Sequence, residues 1–245
     1  MAADRKRSQR LETMGTMAAA LAHEIRNPLS TMSVNLQLLA EDFAQPRTPV
    51  EQRTLRRARL LLGEVRRLDA VVNDFLNLVR GYEVKPEVVD LELLAADLLR
   101  FTEAENARLG IRPRYSPDPG ARYVLADPAL LRTALMNLVV NAQQAMAETG
   151  GELLVETAGR EQDVEIRVTD TGPGIAPELQ EKIFRPWFST KEGGTGLGLP
   201  TARRIVEELG GEMRLQSEVG RGTRFTLSVP RPPRQLLPAG GEGAP

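Results

Sequence analysis

The first eighty residues carry apolar side chains at alternating steps of three and four positions, the spacing of an α-helical seam. One such pattern runs from Leu11 to Phe43, with Pro28 at the one seam position that is not apolar. The segment 43–50, FAQPRTPV, interrupts it with two prolines, and a second pattern runs from Leu55 to Val79. The spacing predicts two long helices joined by a short loop, an antiparallel hairpin.

One hairpin cannot cover the apolar stripes of both helices, whereas a second copy can. The pattern therefore predicts a homodimeric four-helix bundle. If Ala18 and Ile25 occupy position a of the heptad, Leu21 is at d and His23 is at f. His23 then points away from the seam, and Glu24 lies at its flank.

The pattern changes after segment 80–87, RGYEVKPE. The predicted elements are a helix over 91–110, short strands over 111–117 and 121–127, a helix from 128 to about 147, a hairpin over 151–170, a helix near 197–209 and a hairpin over 212–230. Asp127 followed by Pro128 is a typical helix start. Strands and helices mix without regular alternation, so we expect a largely antiparallel sheet covered by helices on one face, in a chain of α+β class.

Composition narrows the chemistry. The chain of 245 residues has a net charge of -1, no cysteine and one histidine. These counts exclude disulfides, thiolate nucleophiles and zinc sites built from cysteine or several histidines, and they predict no nucleic-acid partner. No apolar run approaches the roughly 20 residues that span a bilayer, and the N-terminus lacks a signal-peptide pattern. We therefore expect a cytoplasmic chain with no membrane insertion by this segment.

The single histidine lies in segment 21–30, LAHEIRNPLS. An imidazole nucleophile needs one ring nitrogen free and the other held by an acceptor. The carboxylate of Glu24 can hold the second N–H of His23. Asn27, one turn later, lies on the same side and can orient a water, and Pro28 frees the carbonyl of Glu24 because it has no N–H. The alternative is an idle surface histidine.

Two motifs in the second half have the chemistry of a nucleotide site. Asn137 and Asn141 share one helix face, and amide oxygens suit Mg²⁺ beside phosphates. The motif DTGPGI places Asp170 at a strand end, where a carboxylate can accept a hydrogen bond from an exocyclic amine such as that of adenine. Gly172 and Gly174 in the following turn let the backbone approach a flat ligand.

Two further motifs predict a gripping segment and a lid. Segment 183–191, IFRPWFSTK, carries Phe184, Trp187 and Lys191, whose ammonium could reach phosphates; ordinary core packing is the alternative for Phe184. A glycine-rich loop follows directly before a helix, where backbone N–H groups form an anion site, and it predicts a mobile lid over phosphates. The candidate binding residues of the loop are Gly194, Thr195, Gly196, Leu197 and Gly198.

In this order the motifs resemble the sequence boxes of sensor histidine kinases of bacterial two-component systems. HEIRNP is similar to the H box, NLVVNAQQAM to the N box, DTGPGI and GGTGLGL to the two glycine boxes, and IFRPWF to the F box. The resemblance covers about residues 10–230 and is strongest to the nitrogen-regulation type.

The resemblance implies a dimerisation and phosphotransfer hairpin over 1–82 and a catalytic domain over 83–230. The latter is an α/β sandwich of the gyrase and Hsp90 chaperone kind (GHKL or Bergerat type) that binds ATP with Mg²⁺. Residues 231–245, rich in proline and glycine, are expected to be a disordered tail. The resemblance also implies that His23 is the phosphoacceptor, that Glu24 is its acid–base partner and that Asn27 serves phosphatase activity.

For the nucleotide site, the resemblance implies that Asn141 is the Mg²⁺ ligand and that Asn137 supports it. It implies that Asp170 contacts adenine from the turn of Gly172 and Gly174. It also implies that three glycines belong to the lid: Gly194, Gly196 and Gly198. One departure concerns position 144, where many members carry lysine and this chain has Gln144, so Lys191 or Arg185 could supply that phosphate contact.

The expected function is autophosphorylation of His23 by ATP, then transfer to an aspartate of a response regulator receiver domain. The receiver domain is expected to dock low on the hairpin, around Thr31–Leu39 and the second helix. The alternatives are an enzyme dominated by phosphatase activity, an ATP-gated dimeric scaffold, and a gyrase-like or chaperone ATPase. With no sensor domain before the hairpin, we expect either a fragment of a longer or membrane-linked sensor, or a chain signalled through a partner or its N-terminal helix.

Overall fold

The computed structural model describes residues 24–80, 82–191 and 194–237. They form two compact units, the first ending at Gly81 and the second beginning at Tyr82. The predicted seam positions before residue 24 lie outside the described residues. His23, which is not a seam position, also lies outside them, as does the end of the predicted tail, 238–245. Among the helices that the structure describes, none has both the length and the apolarity needed to cross a membrane.

The first unit is a pair of helices, α1 over 24–42 and α2 over Pro49–Arg80. Arg26 near the described start of α1 forms an ion pair with Asp69 towards the end of α2, with 3.7 Å between Nε and Oδ1. The helices are therefore antiparallel, and the loop 43–48 joins them where the sequence predicts it. The inward face of α2 is made of predicted seam residues: Leu55, Ala58, Leu62 and Val65.

On α1, the side that faces α2 is rotated from the predicted seam. Leu29, which the seam passes over, is buried, whereas Ile25 and Met32 are 39% and 52% exposed. On α2, Leu61 and Leu68 are exposed as well. At about 100° per residue, with the helices antiparallel, all four exposed side chains lie on one side of the hairpin, the hairpin flank (Ile25, Met32, Leu61 and Leu68). The cause is simple: one partner helix covers only part of a wide apolar stripe.

The second unit is built on a five-stranded sheet with the strand order β2-β4-β5-β7-β6. Strands β1 and β3 form a separate antiparallel pair. The bounds are β1 (Glu87–Asp90), β2 (Ile111–Ser116), β3 (Tyr123–Ala126), β4 (Gly151–Gly159), β5 (Asp163–Asp170), β6 (Glu212–Glu218) and β7 (Gly222–Pro230). Only β2 and β4 are parallel in this sheet, as the structure describes it, so the sheet is largely antiparallel as predicted.

Helices cover one face of the sheet. They are α3 (Leu91–Phe101), α4 (Glu103–Arg108), α5 (Pro128–Ala145), the short α6 (Pro177–Gln180) and α7 (Gly198–Glu208). Leu138 of α5 and Ile205 of α7 are fully buried in one core with Ile166 of β5 and Phe225 of β7. Because side chains alternate along a strand, the neighbours of Ile166 on β5 point to the other face.

The helix predicted over 91–110 is two helices, so that prediction is wrong in detail. The break is at Thr102, whose Oγ1 donates to the carbonyl of Leu98 or Leu99, at 3.0 and 3.2 Å. Asn106 Nδ2 donates to Thr102 Oγ1, and Gln143 Nε2 of α5 donates to Asn106 Oδ1 at 2.8 Å. Threonine competes for helix carbonyls in this way, and the buried polar chain fixes the break. Strand β1 was not predicted either.

The two edge strands of the sheet carry exposed polar side chains, and one of them also contains a proline, which has no backbone N–H. Edge strand β2 has Pro113 at its centre, between exposed Arg112 and Arg114. Edge strand β6 exposes Glu212, Arg214 and other polar side chains along its length. Proline at an edge removes one of the N–H groups to which another strand would bind.

The uncovered face of the sheet holds an ion-pair cluster around buried Glu165 on β5. Its carboxylate is within 3.2 Å of Arg160 Nη2 and 3.1 Å of Arg214 Nη2, and it also pairs with Arg167. Hydrogen bonding to Arg160, opposed by burial, lowers the pKa of Glu165 from 4.5 to about 2. The ionised carboxylate is therefore stabilised by the fold.

We expect Glu165→Gln to destabilise the second unit most above pH 4.5. A lowered folded-state pKa contributes stability that is complete above the unfolded pKa and is lost as the pH falls towards 2. The shift corresponds to about 3 kcal/mol, so the difference in unfolding free energy between wild type and variant should shrink between pH 5 and pH 2.5. Urea unfolding at each pH measures it. Glu148→Gln, at an exposed position of the same unit, is the control and should change the unfolding free energy little. A Glu165→Gln difference that stays constant with pH would contradict the assignment.

Candidate functional site

Helix α5 is the platform of the predicted nucleotide site. It begins as the sequence predicts: the carboxylate of Asp127 accepts from the backbone N–H groups of Ala129 and Leu130, with Pro128 in the first turn. Along its outer side, residues 137, 141 and 145 recur at steps of four and form one stripe. Each contacts a different predicted motif.

The first two positions of the stripe meet the glycine-rich loop region. Asn137 Nδ2 donates to the carbonyl of Thr133 at 3.1 Å, and Asn137 Oδ1 lies 3.0 Å from where a Cβ on Gly198 would be. Asn141 Oδ1 accepts from Lys191 Nζ at 2.8 Å. Two amide side chains of α5 are thereby placed beside residues fifty or more positions later in the chain.

The third position meets the turn that follows β5. Asp170 is only 3% exposed, and its carboxylate accepts from the backbone N–H groups of Gly172 and Thr223. Burial raises the pKa of Asp170, against the effect of these hydrogen bonds. A Cβ on Gly172 would lie 2.9 Å from Asp170 Oδ1 and 3.3 Å from the Cβ of Ala145. Glycine therefore leaves a narrow space between an apolar helix surface and a buried acceptor, which suits the edge of a flat base.

Gly174 has a different reason to be glycine. Its φ is 73°, and a Cβ there would overlap the carbonyl oxygen of Glu218 at the end of β6. Gly220 in the β6–β7 turn donates its N–H to the carbonyl of Pro173 at 2.8 Å. Gly174 thus shapes the turn by close packing between backbones.

Phe184 packs against the core, as in the alternative to a ligand-gripping role. Its ring meets that of Phe225 edge to face, with centroids 6.4 Å apart. The guanidinium of Arg203 on α7 lies 5.1 Å from the Phe184 centroid. Phe184 therefore holds the start of the loop region against the sheet and α7, while Trp187 is 57% exposed.

The glycine-rich loop is closed by a backbone contact between its two ends. Trp187 donates its N–H to the carbonyl of Gly196 at 3.2 Å. Both residues have positive φ, 68° for Trp187 and 67° for Gly196, which is a strained conformation for a bulky residue. A Cβ on Gly196 would lie 2.6 Å from the backbone nitrogen of Phe188, so only glycine fits. Glu192 and Gly193 lie outside the described residues.

The loop leads into the N-terminus of α7. Gly194 donates its N–H to the carbonyl of Lys191 at 3.1 Å, and Thr195 Oγ1 accepts from the N–H of Leu197 at 3.4 Å. Leu197 is fully buried and precedes the helix. Helices α3 and α5 start with an aspartate cap, whereas α7 starts at Gly198 with no side-chain cap bond. Its first N–H groups are available to an anion.

Lys191 gathers three oxygens of α5. Its Nζ donates to Asn141 Oδ1 at 2.8 Å, to the Asn141 carbonyl at 3.2 Å and to Gln144 Oε1 at 3.1 Å. Burial lowers the pKa of Lys191 to about 8, opposed by the nearby Asp170 carboxylate. The site thus offers a cation a set of hard oxygen donors, the kind that Mg²⁺ prefers. The part of Gln144 in this set was not predicted, although its position three residues after Asn141 places it on the same helix side.

The predicted catalytic residues belong to the first unit. Glu24 and Asn27 are exposed on α1, and the carbonyl of Asn27 accepts from Thr31 Oγ1 at 3.1 Å. His23 lies outside the described residues. The structure thus brings together the nucleotide-site residues within the second unit, and the roles of His23, Glu24 and Asn27 stay predictions.

Two family models match the chain. One, the His Kinase A (phospho-acceptor) domain, matches residues 13–81. The other, the Histidine kinase-, DNA gyrase B-, and HSP90-like ATPase, matches residues 126–233. The two matches lie in the first and second unit respectively.

Curated relatives are similar over nearly the whole chain. The sensor histidine kinase ZraS of Salmonella typhi is 36% identical over 230 residues, which are 94% of this chain and 48% of the relative. Sporulation kinase D of Bacillus subtilis is 31% identical over 230 residues, 91% of this chain and 43% of the relative. The chain spans about half the length of the curated relatives it matches.

Solved structures show the same fold. Full-length ShkA in complex with AMPPNP has a TM-score of 0.75 at 27% identity, covering 88% of this chain and 45% of that one. Histidine kinase ThkA in complex with the response regulator protein TrrA has a TM-score of 0.64 at 28% identity, covering 94% and 65%. The catalytic domain of ThkA is 31% identical, with a TM-score of 0.55, and is covered to 96%. The predicted fold class, a helical region followed by a GHKL-type α/β sandwich, is confirmed.

Proposed function

Because the chain belongs to the sensor histidine kinases, as its five sequence boxes predicted, we propose that it transfers the γ-phosphoryl group of ATP to His23 and then to an aspartate of a response regulator. The observation that carries this proposal is the convergence on α5 of Asn137, Asn141, Asp170 and Lys191. Those residues lie in the unit that matches the ATPase family model.

We propose three functional parts: the phosphotransfer hairpin over 1–82, the ATP-binding domain over 83–230 and a tail over 231–245. The division of the structure between Gly81 and Tyr82 supports the first boundary. Near the second proposed boundary, after residue 230, the backbone N–H of Arg231 donates to the carbonyl of Gln162 at 3.1 Å. The first residue of the proposed tail therefore still contacts the ATP-binding domain.

The nucleotide is recognised at two ends. Asp170, buried beside the space that Gly172 leaves, accepts a hydrogen bond from the exocyclic amine of adenine. At the other end, the phosphates meet the uncapped N-terminus of α7 and the ammonium of Lys191. Asn141 would hold Mg²⁺ through its amide oxygen, with Asn137 next to it. That oxygen accepts from Lys191 Nζ in this structure, so Mg²⁺ binding there would free one Lys191 N–H for a phosphate oxygen. When bound, Mg²⁺ neutralises part of the phosphate charge.

His23 supplies the nucleophile. One ring nitrogen forms a bond to the γ-phosphorus, the bond from that phosphorus to the β–γ bridging oxygen breaks, and ADP leaves. The carboxylate of Glu24 holds the other ring N–H and stabilises the charge that develops on the imidazole. In the second transfer the nitrogen–phosphorus bond breaks as an aspartate oxygen of the regulator bonds to phosphorus. Positioning and electrostatics carry most of such a reaction.

Two surfaces of the hairpin support the proposed partners. The exposed hairpin flank offers apolar side chains to a second copy of the chain, which supports a homodimeric bundle. On the side of α1 opposite Leu29, Asn27 shares the surface with exposed Val34 and Leu38. This side fits a receiver domain docked over Thr31–Leu39, and the ThkA complex with a response regulator supports such a partner. With ATP as substrate, we place the reaction in the cytoplasm.

The test is incubation of the 245-residue chain with Mg²⁺ and γ-labelled ATP. We expect the protein to acquire label that is lost in acid and retained in base, which is the behaviour of phosphohistidine. Measured ATP binding without any label would contradict the kinase and favour an ATP-gated scaffold or a phosphatase.

A further inference from the structure

The Lys191 side chain is fixed from both ends. Its Nζ has three hydrogens, and the three oxygens of Asn141 and Gln144 occupy all three donors. At its backbone, Ser189 Oγ accepts from the Lys191 N–H at 3.1 Å and donates to the Lys191 carbonyl at 3.2 Å. A half-buried side chain with these contacts has one well-defined place for its charge.

Helix α5 brings no charge of its own to this place. The residues along the side that faces the loop region are uncharged: Thr133, Asn137, Val140, Asn141 and Gln144. The Asp170 carboxylate, which interacts with Lys191, is negative. For an anionic triphosphate lying along α5, the positive charge therefore comes from the loop region, on the ammonium of Lys191.

Gln144 is the one side chain in this set that nothing else in the proposed function uses. Its Oε1 accepts from Lys191 Nζ at 3.1 Å, one helical turn beyond Asn141. A neutral acceptor holds an ammonium without cancelling its charge, whereas a carboxylate would neutralise it. The position therefore suits an orienting group for a cation whose charge is needed by a ligand.

We propose that Gln144 is a positioning residue for Lys191, and that the two form an exchangeable pair in which the loop supplies the cation and α5 supplies the acceptor. This inference rests on the proposed function, because it takes the nucleotide phosphates as the anion that Lys191 meets. It makes a particular demand: the pair should work with the two side chains exchanged, since their combined length and their single charge are conserved.

Three variants of the full chain test the pair: Lys191→Gln, Gln144→Leu, and the exchange variant with Lys191→Gln and Gln144→Lys together. The measured quantity is the Kd of a non-hydrolysable ATP analogue with Mg²⁺, followed by the fluorescence of Trp187, the single tryptophan. Lys191→Gln should weaken binding about tenfold or more, the size of a charge-assisted contact. Gln144→Leu should weaken it about threefold, because the cation is kept but loses its orientation.

The exchange variant tests directly whether Gln144 and Lys191 act as a pair. We expect it to bind about tenfold more tightly than Lys191→Gln alone, close to wild type. In the absence of nucleotide, amide hydrogen exchange over 185–191 should be faster in both single variants and return towards wild type in the exchange variant. Lys182→Gln, an exposed lysine nearby, is the matched control and should leave both readouts unchanged.

Each failure has a separate signature. If Gln144→Leu binds and exchanges like wild type, or if the exchange variant binds no better than Lys191→Gln, the pairing is wrong although nucleotide binding stands. If the wild-type chain binds no ATP analogue, the proposed function fails and this inference fails with it.

Discussion

Replacing His23 by glutamine should abolish the incorporation of label from γ-labelled ATP. Glutamine keeps a polar side chain of similar reach but has no nitrogen lone pair able to attack phosphorus. Because the chain contains no other histidine, acid-labile label cannot move to a neighbouring imidazole. The measurement is acid-labile, base-stable label per chain at saturating ATP, for wild type and variant in parallel.

The control for this variant is nucleotide affinity. All residues assigned to ATP lie in the second unit, so His23→Gln should bind the ATP analogue with the wild-type Kd. Glu24→Gln is a useful companion: it keeps the imidazole but weakens the acceptor for its N–H, so labelling should be slower and still reach His23. Label that persists in His23→Gln would show that another residue is the acceptor and would overturn the assignment.

Asp170→Asn should lower ATP affinity by about 2 kcal/mol, or roughly thirtyfold, the range for a hydrogen bond to a charged group in a buried site. Asparagine can still accept from the Gly172 N–H with its oxygen, but its amide hydrogens then face the adenine amine, another donor. Guanine carries a carbonyl oxygen at that position. The variant should therefore lose preference for ATP over GTP as well as affinity, measured by competition titrations with both nucleotides.

The matched control for this experiment is Asp163→Asn, at the opposite end of β5. It makes the same chemical change on the same strand and should alter neither affinity nor base preference. If Asp170→Asn weakens ATP and GTP equally, Asp170 supports the fold of the turn and does not select the base.

The elements that the sequence predicts best are those whose signals are local. Asp127 and Pro128 fix the start of α5 through bonds within one turn, and alternating strands identify both hairpins. The break at Thr102 could not be predicted because it depends on Gln143, which reaches Asn106 from another helix. Likewise, the inward face of α1 depends on the position of α2, so Leu29 was passed over in favour of Ile25 and Met32.

In the candidate site, too, local signals could be predicted from the sequence and contacts between distant segments could not. Asn141, Asp170 and Lys191 could be predicted from their side-chain types. Amide oxygens, a carboxylate at a strand end and a cation beside a glycine-rich loop have few other reasons to occur together in one chain. What the sequence could not provide was the contact of Lys191 with α5 across fifty positions. Phe184 was equally ambiguous, since an aromatic residue beside a loop packs inward or faces a ligand according to its neighbours, here Phe225 and Arg203.

The edges of the sheet bear on how copies of this chain associate in a crowded cell. Pro113 withholds a backbone N–H from β2, and Arg112 and Arg114 flank it with charge, so an incoming strand finds neither a full set of donors nor an apolar surface. The opposite edge, β6, carries exposed charges of both signs. Open-ended strand addition, the route to fibrous aggregates, is thereby discouraged. The dimerisation proposed for the hairpin flank would instead use helix packing, which sets a finite stoichiometry.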